Sequence, residues 1–366
     1  MVFHHFDPSR PGLGGIDTCI RDLVRFAREV RFVFVGSSLG LSDPSTGNWH
    51  VDMLEDRSVD VIHVARQSPG RPFLPNVLKI AVGAWKYRAV IRQHPADVVQ
   101  VHRPELVSMA RRLLPDAPVH LFLHSDARNW SRTTSDSRWR RASHLYDRVV
   151  ERAVSSADKV VCFSPTAAEW LAQRHDHVTG SPTWFNTDRF RPTPRSAERS
   201  REILWVGRLS AVKDPLLAVE VLQRLDDRYR LTIVGDGRLR AELARAVRSA
   251  GLEDRIMLTG TVPKSAVAEL MRNHGVLLMT SHSEGFPRVM VEALASGRPV
   301  VATPGADTGR LLQVGVNGGC ATSRDPRELA RLVESTVDLT PRSCCESVEA
   351  FAAPWVIAKV LAAPHV

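Results

Sequence analysis

Short apolar runs alternate with longer amphipathic segments along almost the whole chain. An apolar run of strand length is typical of a buried β-strand, and a longer segment with helical periodicity is typical of an α-helix. In the first half the predicted strands are Val2–Phe6, Val30–Val35, Val61–Ala65, Val98–Val101, Val119–Leu123 and Lys159–Phe163. The predicted helices between them are Thr18–Glu29, Val77–Arg92 and Ser143–Ser155.

The same alternation continues through the second half of the chain. Its predicted strands are Ile203–Val206, Leu231–Val234, Ile256–Leu258, Val276–Met279 and Val300–Thr303. Its predicted helices include Pro215–Leu225, Arg238–Ala250 and Pro263–Asn273. Because buried strands are separated by helices, the pattern favours parallel sheets with right-handed crossovers.

The alternation is interrupted between Pro182 and Ala197, where three prolines stand among polar residues. About eleven strands are also many for a single open sheet. The sequence therefore predicts an α/β protein with two doubly wound, Rossmann-like domains that face a cleft. The predicted domains are residues 1–182 and 201–346, and residues 183–200 are the predicted linker.

Composition is compatible with two such domains and predicts a compartment. The chain has 366 residues, of which 43% are hydrophobic, and a net charge of +9. No apolar run approaches the roughly 18 residues of a membrane span, and Met1 opens directly onto a predicted strand without a leader. The five cysteines lack CxxC spacing, which favours reduced thiols. We therefore expect a cytoplasmic protein.

One segment, SHSEGFPRVMVEALASGRPVVATPG, carries most of the functional information. It follows the predicted strand Val276–Met279, passes through a polar turn, enters a helix, and leaves into the next strand. Glu284 falls in the turn and Glu292 on the helix, eight residues later, which is about 12 Å along a helix. The helix N-terminus between the two acids favours a phosphate. The segment therefore predicts a site for an elongated nucleotide sugar.

Two cations, Arg208 and Lys213, follow the first strand of the second domain. Ligands of parallel sheets bind outside the carboxyl ends of the strands, so these cations lie at the predicted edge of the Glu284 loop. A guanidinium and an ammonium can stabilise a departing diphosphate. A solvated pair of surface cations is the alternative interpretation. The turn Gly235-Asp236-Gly237 is a weaker signal, because such turns are common between a strand and a helix.

In the first domain, the glycines before Thr18 and three histidines are the candidates. The amides of Gly12, Gly14 and Gly15 precede a helix and can face an anion, although a plain tight turn gives the same pattern. His124 directly follows a predicted strand and is expected to project into the cleft. His63 and His102 are interpreted as packing or cleft-wall residues. No HExxH or Asp-x-Asp motif is present, so we predict no metal and no cofactor.

These residues resemble a known family. The Glu284–Glu292 segment is similar to the ExxxxxxxE signature of retaining glycosyltransferases with the GT-B fold, in particular family four. WVGRLSAVKDP resembles that family's phosphate-binding GR…K segment, and IVGDGRLR, GTVPKSAVAELM and PSRPGLGG occur in the family in the same order. The resemblance extends over nearly the whole chain and is strongest between Arg201 and Gly319.

The resemblance implies a role for each matching residue. Glu284 would bind the donor sugar hydroxyls, Glu292 the ribose, and Arg208 and Lys213 the diphosphate. Further contacts would come from the segment that contains Gly285, Phe286, Pro287 and Val289, from Gly14 and Gly15, from the backbone at Val262 and from His124, which would lie close to the transferred sugar. The first domain would be the acceptor side, and residues 347–366 would return to pack on it.

We expect a retaining, metal-independent glycosyltransferase that moves a sugar from a nucleoside-diphosphate sugar to a hydroxyl acceptor. Candidate acceptors are carbohydrates and lipid-linked or cell-envelope glycans. Two features depart from the family: the linker motif reads Thr183-Trp184-Phe185-Asn186, and a common acidic residue is missing from the segment Asp307–Arg310. Two alternatives stay open: a nucleotide-sugar isomerase or hydrolase, with Glu105 and Asp126 as candidate acids, and a basic membrane-binding module with a degenerate site. No nucleic-acid motif is present.

Basic residues concentrate in the first domain. Residues 61–96 contain no Asp or Glu. The basic residues are Arg66, Arg71, Lys79, Lys86, Arg88 and Arg92 there, and Arg128, Arg132, Arg138, Arg140 and Arg141 after His124. One hypothesis is that this face docks on anionic lipid at the inner side of the membrane, with Phe73 and Leu74 exposed beside it. The other interpretation is a solvated basic face, with Val77–Ile91 as an ordinary core helix.

Overall fold

The computed structural model describes residues 1–4, 7, 14–38, 46–67, 76–124, 143–193, 198–307, 309–336 and 338–362. The described chain divides into two compact units. The first holds residues up to 124, 143–181 and 357–362, and the second holds residues from 182 to 356. Each unit is an α/β structure with its own sheet.

The first unit begins with two strands on either side of a helix and continues through a hairpin into repeated helix–strand units. Its elements are β1 (Val2–Phe3), α1 (Gly15–Phe26), β2 (Val33–Ser38), β3 (Trp49–Leu54), β4 (Arg57–Arg66), α2 (Asn76–Lys86), α3 (Arg88–Ile91), β5 (Val99–Val101), α4 (Val107–Leu113), β6 (Val119–Leu123), α5 (Ser143–Ser156), β7 (Lys159–Cys162), α6 (Pro165–Ala172) and β8 (Val178–Gly180).

The strands of the first unit form one eight-stranded sheet in the order β3-β4-β2-β1-β5-β6-β7-β8. All neighbours are parallel except β3 and β4, which pair antiparallel. The expectation of a purely parallel sheet is therefore wrong at this edge. The two strands are joined by a tight turn in which Glu55 has a φ of 54°, and such a short connection can join only antiparallel strands.

The predicted helix Val77–Arg92 is two helices, α2 and α3, which meet at Tyr87. Tyr87 leaves the helical conformation with φ −96° and ψ 20°. One face of α2 lies directly on β4: a Cβ placed on Gly83 would come within 1.9 Å of the Val64 carbonyl oxygen. Glycine therefore allows the close approach, and the opposite face of α2 points away from the sheet.

The second unit repeats the strand–helix alternation with a smaller sheet. Its elements are β9 (Glu202–Val206), α7 (Pro215–Leu222), β10 (Arg230–Val234), α8 (Arg240–Ser249), β11 (Ile256–Gly260), α9 (Lys264–Asn273), β12 (Val276–Met279), α10 (Arg288–Ala295), β13 (Val300–Ala302), β14 (Gly318–Cys320), α11 (Pro326–Ser335) and α12 (Pro341–Glu346), followed by α13 (Ala353–Leu361), which ends in the first unit. The sheet order is β11-β10-β9-β12-β13-β14, all parallel.

The end of α13 is held by a buried lysine of the first unit. Lys159 lies on β7, and its Nζ donates hydrogen bonds to the carbonyl oxygens of Val360 at 2.9 Å and Ala362 at 2.7 Å. A cation at a helix C-terminus also interacts favourably with the helix dipole. Burial lowers the pKa of Lys159. The two carbonyl oxygens therefore compensate for the desolvation of the ammonium group.

Among the described residues, none of the helices combines the length and the apolar character that are needed to cross a bilayer.

Candidate functional site

The β12–α10 segment has the arrangement that the sequence predicts. Strand β12 ends at Met279, the loop runs through Glu284 and Gly285, and Pro287 is the N-cap of α10. Glu284 lies in the loop and Glu292 lies on the helix. Pro287 suits this position because a residue before the first helical turn needs no amide hydrogen for the helix. The amides at the start of α10 lie between the two acids in the chain.

Glu284 is held from two directions. Its Oε1 accepts a hydrogen bond from the Ser281 hydroxyl at 2.6 Å and forms an ion pair with the Lys213 ammonium group. The Glu284 side chain is 11% exposed, so the ion pair is screened less than one on the open surface. The structure therefore brings together a carboxylate and a cation that the sequence assigns to neighbouring parts of one ligand.

The loops after β9 and β12 are tied together by Thr280. Its hydroxyl donates one bifurcated hydrogen bond to the backbone oxygens of Lys213 at 2.9 Å and Asp214 at 2.7 Å, and it accepts from the Trp205 indole N–H at 2.9 Å. The His282 amide also donates to the Val212 carbonyl oxygen at 2.8 Å. These bonds fix the position of the Lys213 backbone relative to the Glu284 loop.

The loop after β13 lies against the Glu284 loop. The Glu284 amide donates to the Gly305 carbonyl oxygen at 3.0 Å. A Cβ on Gly305 would come within 2.0 Å of the His282 carbonyl oxygen, so no larger residue fits there without a backbone shift. Thr303 adds a hydrogen bond from its hydroxyl to the Ser281 carbonyl oxygen at 2.6 Å. Three strand ends therefore support one loop.

Sequence analysis missed two supporting residues, Asp214 and Arg324. Asp214 is the N-cap of α7 in a left-handed conformation with φ 45°. The Arg324 guanidinium donates to the Asp214 carboxylate at 2.5 Å and to the Thr280 carbonyl oxygen at 3.0 Å. The Asp214-Pro215 pair is a recognisable helix start. Arg324 lies more than 100 residues away from Asp214, and no local pattern marks it.

Glu292 is a buried carboxylate whose two oxygens accept no hydrogen bond from any of the described residues. Its side chain is 0% exposed, and the nearest cations are the Lys264 ammonium at 3.6 Å and the Arg288 guanidinium at 3.7 Å. A buried charge without hydrogen bonds is costly. Glu292 can therefore accept hydrogen bonds from a ligand that brings hydroxyl groups.

Three residues whose backbone is predicted to contact the donor pack their side chains on the apolar core of the second unit. Val262, Phe286 and Val289 are partly buried against it, and the Phe286 ring meets the Phe351 ring edge-on at 6.0 Å. Pro287 is buried, and Gly285 is half-buried. Arg208 is exposed on the loop after β9, where the Gly207 amide bonds to the Val234 carbonyl oxygen at 3.0 Å. An exposed guanidinium there can approach a phosphate.

In the first unit, Gly14 and Gly15 are the start of a helix. Gly14 is the N-cap of α1 and Gly15 is its first residue, so the helix begins three residues before the predicted Thr18. The Thr18 hydroxyl bonds back to the Gly14 carbonyl oxygen at 2.9 Å, which stabilises the earlier start. Both glycines are exposed, and a Cβ on Gly15 would meet nothing within 4 Å.

His124 directly follows β6 and is half-buried. Its Nε2 is 2.9 Å from the Nδ1 of His102, and its ring stacks on the Phe163 ring with centroids 5.0 Å apart. His102, which sequence analysis interpreted as a packing or wall residue, is thus a direct hydrogen-bond partner of His124. The signal was available in principle, because both histidines follow neighbouring strands.

Several sequence predictions fall outside the described residues. They concern Gly12, Arg71, Phe73, Leu74, Asp126, Arg128, Arg132, Arg138, Arg140 and Arg141. Within the residues that are described, no group of three or more His, Cys, Asp or Glu side chains is arranged to hold a metal ion.

Two sequence models of protein families match the chain. The model described as "Glycosyl transferases group 1" matches residues 186–346, and "Glycosyltransferase Family 4" matches residues 13–189. The first match contains Arg208, Lys213, Glu284 and Glu292. The second contains Gly14, Gly15 and His124. The matches therefore include all the predicted site residues except Gly12.

Relatives with assigned names agree with the family models. The chain is 30% identical to a D-inositol 3-phosphate glycosyltransferase of Xylanimonas cellulosilytica over 198 residues, which is 48% of this chain and 48% of the relative. It is also 30% identical to a 2-deoxystreptamine glucosyltransferase of Streptomyces kanamyceticus over 283 residues, 68% of this chain and 70% of the relative. The chain thus spans about half the length of the first relative and more than two thirds of the second.

A solved structure shows the same fold. Anabaena HepE in complex with UDP and glucose matches with a TM-score of 0.71 at 18% identity, covering 98% of this chain and 96% of that chain. The fold of two Rossmann-like domains is thereby confirmed. The chain belongs to the glycosyl transferases group 1, or family-four, glycosyltransferases with the GT-B fold.

Proposed function

We propose that the protein is a retaining, metal-independent glycosyltransferase. It moves a sugar from a nucleoside-diphosphate sugar to a hydroxyl of a carbohydrate or lipid-linked acceptor, and it works in the cytoplasm. Family membership and the named relatives support sugar transfer. The stereochemical course, the absence of a metal requirement and the acceptor class are parts of the proposal.

The observation that carries the proposal is the state of Glu292. Its carboxylate is fully buried, lies beside two cations, and accepts no hydrogen bond from the described residues. A ribose diol supplies two hydroxyl donors that match a carboxylate. Anabaena HepE was solved with UDP and glucose, and UDP carries such a ribose. We assign Glu292 to the ribose of the donor.

Arg208 and Lys213 supply the positive charge that the leaving diphosphate needs. In the proposed reaction the bond between sugar and diphosphate breaks while the acceptor hydroxyl enters from the same face. A phosphate oxygen then takes the hydroxyl proton. Two side-chain cations and the N-terminus of α10 stabilise the charge on the diphosphate. The ion pair between Lys213 and Glu284 supports neighbouring subsites for the diphosphate and the sugar in this proposal.

Changing Glu292 to Gln should weaken nucleotide binding more than it slows the bound enzyme. Gln keeps the size of the side chain but removes the charge, and a hydrogen bond to a charged group is worth about 1.5–3 kcal/mol. We therefore expect the dissociation constant of UDP to rise by roughly 10- to 100-fold. Isothermal titration calorimetry with UDP and with GDP measures the effect.

Glu269→Gln is the matched control, because Glu269 is exposed on α9. If the dissociation constants of UDP and GDP were both unchanged in Glu292→Gln, the assignment of Glu292 to the ribose would be wrong. The proposed function would then lose its main support.

We also propose that the first unit docks on the inner face of an anionic membrane, where it meets a lipid-linked acceptor. The support comes from α2. Leu78, Val82 and Trp85, at helical positions i, i+4 and i+7, are exposed by 48%, 65% and 50%. These side chains form one stripe on the face of the helix that does not contact β4. The interpretation of this segment as an ordinary core helix therefore explains the face of α2 that packs on β4, but it does not explain the exposed apolar stripe.

Basic side chains flank the apolar stripe. Lys86 and Arg88 are exposed at its end, and the Arg88 guanidinium lies 5.3 Å from the Trp85 ring centroid. A helix with an exposed apolar face and Lys or Arg beside it binds at the interface of anionic bilayers. Each Lys or Arg adds about 1 kcal/mol of attraction to such a surface. The charge and the apolar stripe therefore fit the same partner.

Removing the stripe should abolish binding to anionic vesicles. We expect the Leu78→Ser, Val82→Ser, Trp85→Ala variant to stay in the supernatant in a co-sedimentation assay with phosphatidylglycerol-containing liposomes. The native protein should sediment, and high salt should reduce its binding because charge attraction is screened. Trp355→Ala is the control, since Trp355 is 68% exposed at another place. If the native protein did not bind anionic vesicles at low salt, membrane docking would be refuted and a soluble acceptor would be favoured.

A further inference from the structure

A pair of histidines stands at the carboxyl ends of two neighbouring strands of the first unit. His102 follows β5 and His124 follows β6, and the strands pair in parallel with Val101 opposite Leu121. The Nδ1 of His102 and the Nε2 of His124 are 2.9 Å apart, and the two rings are nearly parallel, at 21°. This is a hydrogen bond between two imidazoles, so one ring donates and the other accepts.

His102 is a neutral imidazole. It is 2% exposed, its ring stacks on the Phe122 ring with centroids 4.8 Å apart, and it meets the His4 ring edge-on at 6.1 Å. Burial lowers the pKa of His102 to about 3. A neutral imidazole carries a single N–H, which sits on either Nδ1 or Nε2. The position of that hydrogen decides which ring donates.

The second nitrogen of His102 selects between the two arrangements. Its Nε2 is buried and has no hydrogen-bond partner among the described residues. If His124 donated, the only hydrogen of His102 would sit on Nε2 as a buried donor without an acceptor. If His102 donates from Nδ1, Nε2 keeps only a lone pair. Orphaned buried N–H groups are rarer in proteins than under-satisfied acceptors, and this favours donation by His102.

We propose that His102 is a positioning residue that donates from Nδ1 to the Nε2 of His124 and thereby holds neutral His124 with its proton on Nδ1. His124 is then a fixed hydrogen-bond donor on its Nδ1 side, and its ring is clamped between His102 and Phe163. If the chain transfers sugars as proposed above, this N–H suits a sugar hydroxyl or ring oxygen, which accepts hydrogen bonds.

The tautomer can be read directly in the free protein. Long-range proton–nitrogen correlation spectra of protein labelled with ¹⁵N-histidine distinguish a protonated ring nitrogen from a bare one. Signals of His102 and His124 are assigned from single variants. We expect protonated Nδ1 and bare Nε2 for both rings. A protonated Nε2 on neutral His124 would overturn the proposal, whatever the activity of the protein.

Two variants of His102 separate its hydrogen bond from its packing. His102→Asn keeps a donor near the former Nδ1, whereas His102→Leu keeps an apolar side chain and removes the donor. For His102→Leu we expect kcat to fall by about 10- to 100-fold, the range found for partners that orient metal-ligating histidines, with an unchanged Kd for UDP. His102→Asn should restore most of kcat. The spectrum of His102→Leu should show His124 as a mixture of tautomers.

His120→Asn is the matched control, because His120 is a half-buried histidine of the same strand, β6, and its side chain lies outside the pair. Equal losses in His102→Asn and His102→Leu, with an unaltered His124 tautomer in both, would show that His102 only fills space and would refute the positioning role. Failure of sugar transfer as a function would leave the tautomer result intact, because the spectra need no substrate.

Discussion

Replacing Glu284 by Gln should lower the rate of sugar transfer far more than it lowers affinity for the free nucleoside diphosphate. The proposed partner of this carboxylate is the sugar, which the free diphosphate lacks. Loss of one charged hydrogen bond at a reacting centre costs on the order of 2–4 kcal/mol in the barrier, roughly 30- to 1000-fold in rate. Steady-state turnover of the donor, with and without acceptor, and calorimetry with UDP measure the two quantities.

The pattern of Glu284→Gln is expected to be the reverse of that of Glu292→Gln. Glu253→Gln serves as a control for the loss of an exposed carboxylate elsewhere in the second unit. If Glu284→Gln and Glu292→Gln had the same ratio of turnover loss to affinity loss, the assignment of Glu284 to the sugar and of Glu292 to the ribose would be wrong.

The double change of Arg208 and Lys213 to Ala should nearly abolish transfer while the protein stays folded. Without these cations the leaving diphosphate would lose both side-chain charges that are proposed to stabilise it. Each deletion should cost about 2.7–4 kcal/mol in the barrier, the range found when one stabilising donor is removed. Arg208 is exposed, so its loss should change the free energy of unfolding by at most about 1 kcal/mol. Loss of Lys213 leaves the largely buried Glu284 carboxylate without its cation and should cost about 1–3 kcal/mol, which a folded protein can tolerate.

Thermal unfolding and donor turnover are measured on the same preparations. Arg240→Ala is the control, because Arg240 is also a cation near a strand end but pairs with Asp236 on the surface. A double variant with near-native turnover would show that the two cations do not act on the diphosphate, and most of the proposed mechanism would fail with them.

The elements that carry the candidate donor site were largely predictable because the information for them is local. The strand Val276–Met279, the turn with Glu284 and the helix with Glu292 follow one another within a few residues. Hydrophobic periodicity therefore predicts the strand and the helix, and it also predicts that Glu284 lies at the carboxyl end of the strand. The positions of Arg208 and Lys213 follow from the rule that loops at the carboxyl ends of parallel strands share one edge.

Two of the missed strands, β14 and β3, lack the usual strand pattern. Strand β14 is Gly318–Cys320, with two glycines and no β-branched residue, and it pairs only because β13 offers a free edge. Strand β3, Trp49–Leu54, is the edge of its sheet, and its polar His50 and Asp52 are half-buried whereas its apolar Val51 and Met53 are exposed. In both cases the neighbouring strand, rather than the propensity of the segment, decides the structure.

The partners of the site residues were missed because they depend on strand register and on distant segments. The contact of His102 with His124 requires that β5 and β6 be neighbours, although a short 3₁₀ helix, Pro104–Leu106, and α4 separate them in sequence. Arg324 reaches Asp214 only after the second sheet is complete. Single-sequence patterns identify which side chains are candidates, but the pairs among them appear only in three dimensions.

The hydrogen bonds of Lys159 have a consequence for the order in which the chain can fold during synthesis. The ammonium group sits in the first unit, but its carbonyl partner at Val360 lies 201 residues further along the chain. When the ribosome has released the chain as far as β8, the carbonyl partners of Lys159 have not yet been made. The Lys159 amine must therefore stay hydrated or lose its proton while the second unit is translated. The first unit reaches its final stability only after the end of α13, with Val360 and Ala362, has been synthesised. The N-terminal domain is therefore translated first, but its fold is complete only when translation of the chain ends.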